Sequence, residues 1–215
     1  MTDFNHAVKF QHTFWDEVLP TARVIVDATC GNGHDTAYLY IRASGEAVLH
    51  YIDIQDIALR HTEERLHRIA RESPGEKVED GLRIPYDEAH SVGRPVLRAH
   101  LASHDDVLAR IVEETGRIDL LVFNLGYLPG ASRDIMTRVE TVTAALEHVL
   151  AHPERIGLVT IVTYPGTERG LAEQEVLEAF LAGVSQKDFD VSVWKPLNQV
   201  NRPPQLYVVR VRANR

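Results

Sequence analysis

One cysteine among 215 residues, Cys30, rules out an internal disulfide framework and any metal or iron–sulfur centre built from several thiolates. No apolar run approaches the roughly 20 residues that a bilayer helix requires, and the opening MTDFNHAVKFQHTFW lacks the basic-then-apolar pattern of a secretory leader. Basic residues are in deficit as well: 23 Lys and Arg face 31 Asp and Glu, for a formal net charge of −8. That balance argues against coating nucleic acid through a broad basic face, because phosphate neutralisation dominates non-specific affinity. A local basic patch stays open. These absences lead to the expectation of a cytoplasmic chain with no membrane partner. Its length suits a single domain over 1–215, with 44% hydrophobic and 25% charged residues, near globular averages.

Histidine, by contrast, is plentiful, with 11 in the chain. The pairs His100/His104 and His148/His152 have the i, i+4 spacing that can put two rings on one helical face. Neither pair carries the H-E-x-x-H pattern or a cysteine partner, and Pro95 and Pro153 put each near a segment boundary. Both pairs read as solvated or capping groups, and no metal site is expected.

Apolar runs and breakers alternate in the manner of a parallel sheet with crossover helices. The reading is strand 24–28, helix 36–41, strand 47–52 ending at Asp53, and helix 54–71, whose apolar stripe is Ile57, Ala58, Thr62, Leu66 and Ile69. The stretch SPGEKVEDGLRIPYDEAHSVGR at 73–94 breaks the rhythm and reads as an inserted surface loop. Strand 96–99, helix 105–114, strand 118–123 ending at Asn124, helix 139–150, strand 156–162 and helix 171–181 follow. Segments 189–194 and 205–211 are strand-like, but the residues between them are too few for a helical crossover, so they should pair antiparallel. The expected fold class is therefore α/β. It is the Rossmann-like architecture of class I S-adenosylmethionine methyltransferases, a seven-stranded, mostly parallel sheet with a C-terminal antiparallel hairpin.

The stretch DATCGNGHDT at 27–36 follows the apolar run VIV. In a doubly wound sheet, ligands bind at the carboxyl ends of strands, and Asp27 with its glycine loop, Asp53 and Asn124 all stand at such ends. Gly31 and Gly33 let the backbone approach a ligand closely. Asp53 can accept both ribose hydroxyl hydrogens of an adenosine; a helix N-cap is the plainer alternative for such an acid. A dinucleotide fingerprint wants a third glycine where this chain has Thr36. An acid such as Asp27 is awkward beside a pyrophosphate but useful beside a cationic methyl donor, so the loop fits S-adenosylmethionine better. Cys30, inside this loop, reads as a small packing residue. The segment NLGYLPG from Asn124 resembles the N-P-P-Y loops of enzymes that methylate planar or amino nitrogens. There the Asn124 side-chain oxygen and the Leu125 carbonyl can take a nitrogen's hydrogens, and Tyr127 can pack on a base.

VDATCGNGHDT, DIQ at 53–55, SHDD at 103–106, FNLGYLPG at 123–130, TYPG at 163–166 and NQVNRPP at 198–204 resemble, in order, the bacterial MnmM-like family first labelled rRNA methylases. Characterised members of that family methylate the primary amine of 5-aminomethyl-2-thiouridine at the tRNA wobble position. The resemblance implies that Asp27, Thr29, Gly31, Asn32, Gly33, Asp35 and Thr36 line the methionine side of the donor. It implies that Asp53 and Gln55 hold the adenosine, with His104 and Asp105 near the adenine. Asn124, Leu125, Gly126 and Tyr127 would face the transferring methyl and the amine, while Tyr164, Asn198, Gln199 and Asn201 border the nucleotide. The chain departs from the family at Thr167, where members commonly have histidine, and in the 73–94 insertion.

The expected activity is methyl transfer from S-adenosylmethionine to the aminomethyl group of a modified wobble uridine. Its partner is the tRNA anticodon region, met by phosphate contacts drawn from Arg133, Arg138, Lys195 and Arg202. A homodimer is left open. Three competing readings remain: a small-molecule N- or O-methyltransferase, a methyltransferase of another RNA, and a donor-binding module without catalysis. A nicotinamide oxidoreductase ranks last, because nothing resembles a hydride-transfer acid/base pair.

Overall fold

Buried on both faces, a strand in a parallel sheet has no reason to alternate polar and apolar residues, and VIVD at the start of the glycine motif does not. In the computed structural model, which describes residues 7–71, 93–126 and 138–212, this run is β1 (Val24–Asp27), buried along its whole length. It pairs parallel with β2 (Val48–Asp53) on one side and β4 (Ile118–Leu125) on the other. Beyond β2 lies β3 (Val96–Leu101), and beyond β4 lies β5 (Ile156–Thr163), both parallel to their neighbours. The hairpin strands β6 (Phe189–Trp194) and β7 (Gln205–Val211) pair antiparallel, and β7 also joins β5 antiparallel. The resulting order is β3-β2-β1-β4-β5-β7-β6, the sheet of the class I methyltransferase fold. The chain first builds outward through β2 and β3, then returns to β4 on the opposite flank of β1. The carboxyl ends of β1 and β4 therefore part around a crevice.

Helices cover both faces. On one, α1 (Ala7–Val18), α2 (His34–Arg42) and α3 (Asp56–Arg71) enclose Trp15, Ile25, Leu39, Leu49, Leu120 and Leu158. On the other, α4 (His104–Thr115), α5 (Val139–Leu150) and α6 (Glu168–Ala182) pack on Val26, Leu121, Phe123, Val159 and Ile161. A short 3-10 turn, Pro153–Arg155, leads into β5.

Some expectations shift. In α3 the buried stripe is Ala58, Leu59, Thr62, Leu66 and Ile69, and Ile57 is turned outward at 46% exposure. Leu59 and Leu66 lie seven residues apart, two helical turns, whereas Ile57 falls off that face. Helix α1 is absent from the sequence reading, although Ala7, Phe10, Phe14 and Val18 recur at helical spacing. Trp15 anchors it, fully buried, with Nε1 donating to Thr160 Oγ1 at 2.9 Å. His100 lies in β3 and His104 opens α4, so the two rings do not share a helical face; His100 Nε2 instead meets His50 Nδ1 at 3.0 Å. All but two residues of the 73–94 insertion lie outside the described residues. Among the described residues, no helix is long and apolar enough to cross a membrane.

Candidate active site

The loop between β1 and α2 is shaped by glycine. Gly31 has φ 53° and Gly33 φ 75°, a backbone region where a side chain is strained. A Cβ on Gly33 would also stand 2.7 Å from the Thr62 Cα, so α3 can lie against the loop only because nothing is there. Asp27, fully buried, ties the two ends of this loop: Oδ1 accepts from the Thr29 N–H at 3.2 Å and Oδ2 from the Thr36 hydroxyl at 2.6 Å. Burial, reinforced by the nearby Asp35 carboxylate, pushes its pKa up to about 7. Asp53, at the end of β2, does a similar job from the other side, with Oδ2 accepting from Gly31 N at 3.1 Å and Oδ1 from Gln55 N at 3.0 Å. Burial raises its pKa too. On the outer side, Asn32 meets His61 Nδ1 at 3.0 Å through its side-chain oxygen and Arg65 Nε at 2.9 Å through its carbonyl. Cys30 is buried, and burial raises its thiol pKa far from the reactive range.

At the end of β4 the Asn124 N–H donates to Thr29 Oγ1 at 2.7 Å, which links the second strand end to the same loop. The Asn124 side-chain NH2 donates to Asp35, while its Oδ1 is buried without a hydrogen-bond partner among the described residues. Farther along, Tyr164 follows β5 and lays its ring against Gly126, where an added Cβ would lie 3.4 Å from the Tyr164 ring. Thr163 donates to Gln174 Oε1 at 2.8 Å. Thr167 caps α6 by accepting the Gly170 N–H at 3.0 Å, a role a hydroxyl fills. His104 is buried edge-on against Phe123 at 5.3 Å, and burial lowers its pKa, favouring the neutral ring.

These groups surround a cavity of about 1110 Å³. Of the residues singled out from the sequence, Thr29, Gly31, Asn32, Asp35, Asp53, Gln55, His104, Asn124, Leu125, Gly126 and Tyr164 line it. Asp27, Gly33 and Thr36 lie beneath the loop and shape it from behind, and are not among the lining residues. Asp105 is drawn to the Ser103 hydroxyl in the first turn of α4. Asn198, Gln199 and Asn201 are exposed on the β6–β7 connection, from which Arg202 and Pro204 reach the wall. Tyr127 and Arg133 lie outside the described residues. Thr141, Glu173 and Gln174 also line the cavity and have no motif to announce them. Gln11 and His12, which contact Asp35, belong to the helix the sequence reading missed.

Residues 49–210 match the model of the family described as "Putative rRNA methylase". The chain belongs to that family. Within and around the rRNA methylase family, it is 28% identical over 95% of its length to the chloroplastic tRNA (mnm(5)s(2)U34)-methyltransferase of Arabidopsis thaliana, covering 69% of that protein. The "putative rRNA-methylase" from Clostridium thermocellum has a TM-score of 0.75 and 28% identity, covering 96% of this chain and 97% of its own. A "putative methyltransferase" from Streptococcus mutans, crystallised with SAH, gives 0.72 and 28%, over 96% and 98%.

Proposed function

We propose that the chain is an S-adenosylmethionine-dependent N-methyltransferase acting on the aminomethyl group of a modified wobble uridine in tRNA. The observation that carries this reading is the convergence on one cavity of a glycine loop, Asp53 and Asn124, whose side-chain NH2 is held by Asp35 and whose Oδ1 has no partner among the described residues. The tRNA substrate is suggested by the Arabidopsis relative, whose name specifies U34. The residues present suit the donor. Each Asp53 oxygen already accepts one backbone N–H and has lone-pair capacity left for ribose hydroxyls. The Gly31 and Gly33 turn leaves room for close backbone approach, and neutral His104 with Gln55 borders the adenine side.

Bound, S-adenosylmethionine supplies an electrophilic methyl group on sulfur. The chain's own part is to hold the nucleophile. An amine attacks only when neutral, and its remaining hydrogens need acceptors on the side away from the donor. Asn124 Oδ1 and the Leu125 carbonyl, at the carboxyl end of β4, are the acceptors assigned to it. Tyr164, against Gly126, is assigned to the nucleobase. Arg138 and Arg202 on the cavity wall are assigned to phosphates, with Lys195 on the neighbouring loop, while the Asn198, Gln199 and Asn201 cluster on that loop borders the nucleotide. The reading takes 1–215 as one domain working on the tRNA anticodon region in the cytoplasm.

Nucleoside analysis of tRNA from a strain lacking this protein tests it. Accumulation of the unmethylated aminomethyl nucleoside, reversed by the purified protein with donor, is the expected result. The net charge of −8 favours a second reading, a small-molecule methyltransferase. Unchanged tRNA together with turnover on a free amine selects that alternative.

A further inference from the structure

The cavity wall at Asn124 is braced by a helix that the reaction as described does not use. On α1, His12 Nε2 lies 3.2 Å from Asp35 Oδ1, and Gln11 Nε2 donates to Asp35 Oδ2 at 3.5 Å. The same Oδ2 takes the Asn124 NH2. The His12 ring has little freedom of its own, being stacked on Tyr38 at 3.8 Å and 22° and tilted against Trp15 at 4.7 Å. Tyr38 in turn donates to Asp16 at 2.8 Å. The His12 and Asp35 side chains are only 13% and 11% exposed, so these contacts are shielded from water.

A carboxylate offers lone pairs alone, so each neighbour must turn an N–H toward it. Asn124 thereby commits its NH2 to Asp35, and its oxygen is turned away from that carboxylate. That oxygen is buried and, among the described residues, has no hydrogen-bond partner. If Asp35 were free to swing away, the amide could flip and present donors where an acceptor is needed, and an incoming amine would meet N–H groups instead of a lone pair.

We propose that His12 is a positioning residue for methyl transfer: clamped by Tyr38, it holds Asp35, and through Asp35 it holds the Asn124 amide with its oxygen toward the cavity. This rests on the reading of Asn124 as the amine-facing residue. It also narrows the acceptor to a nucleophile that carries an N–H. Asp35 also borders the donor side, but Asp27 and Asp53 make the hydrogen bonds that hold the glycine loop, so the effect on donor affinity should be smaller than the effect on kcat.

The test uses the full chain, tRNA from a strain lacking the protein, and calorimetry with S-adenosylhomocysteine as the donor-site probe. His12→Phe keeps the ring stack but has no N–H; His12→Gln restores an amide N–H near the position of Nε2. His12→Phe should lower kcat about ten- to a hundredfold, with the probe Kd within about twofold of the parent. His12→Gln should recover most of kcat. Should His12→Phe fail to fold, His12→Asn, whose shorter amide cannot reach Asp35, takes its place and should show the same loss. Equal kcat in the parent and the Phe or Asn variant overturns the inference, as does a Gln variant no better than either. So does a parallel loss of probe affinity, the mark of a merely structural residue. A parent that methylates no tRNA overturns the functional reading and this inference with it.

Discussion

Asp27 spends its carboxylate on the protein rather than on solvent, and its acidity follows from that. The folded state keeps the proton up to about 7, whereas an ordinary aspartate releases it near 3.8. Between those values the folded chain binds more protons than the unfolded one. The contribution of Asp27 to stability is thus complete below the lower value and is lost as pH rises through the upper one. His50 works the other way in the same window, since burial pushes its pKa down to about 4 and the unfolded chain takes up that proton first. Asp27→Asn isolates the first effect: its stability relative to the parent should increase from about pH 4 to about pH 8 in urea titrations. Asn124 poses a different question, because its backbone serves the loop while its side chain faces the cavity. Asn124→Ala keeps the 2.7 Å bond from its N–H to Thr29. It should therefore lower kcat by about a hundredfold or more while the donor Kd stays within about threefold, as read by single-turnover kinetics and calorimetry.

At the level of elements, helix ends are where local sequence and site meet. Helix α6 begins at a cap whose hydroxyl accepts the Gly170 N–H, and Gly170 itself sits so close to Tyr164 that a Cβ would be 2.3 Å from the Tyr164 carbonyl oxygen. The cap therefore sets how α6 lies against the residue that borders Gly126. Thr167→Ala should cost about 1 kcal/mol in chemical denaturation, and Thr167→Ser should recover most of it. The glycine loop is likewise a joint between elements, with Gly33 letting α3 close upon it through Thr62, whose hydroxyl donates to the Gly31 carbonyl at 3.2 Å. Among the elements read from the sequence, bounds agree with the structure at α5, β6 and β7 and differ by up to three residues at the others. Helix ends drift because capping and tertiary contact, not periodicity, decide the last turn.

Taken as a whole, the molecule is acidic yet carries Arg138 and Arg202 on the cavity wall. If the proposed tRNA substrate is right, their effect is local: Arg202→Ala should weaken binding across tRNA sequences and reduce the slope of log affinity against log salt by about one. A filter-binding series over ionic strength measures this, and an unchanged slope removes Arg202 from the phosphate contacts.

How much was legible in the chain depended on range. Local pattern sufficed for the alternation of strands and helices, the glycine turn and the strand-end residues Asp53 and Asn124, because periodicity of 2 or 3.6 and positive-φ glycines are properties of neighbouring residues. The class I methyltransferase sheet followed from their order. What no local pattern carries is contact between distant segments. That Asp27 and Thr36 shape the loop from behind, that Thr141, Glu173 and Gln174 join the wall, and that α1 brings Gln11 and His12 to Asp35 are outcomes of packing across the sheet. The orientation of the Asn124 amide belongs to the same class. An amide can turn either end to a ligand, and only a carboxylate delivered by a different element decides which.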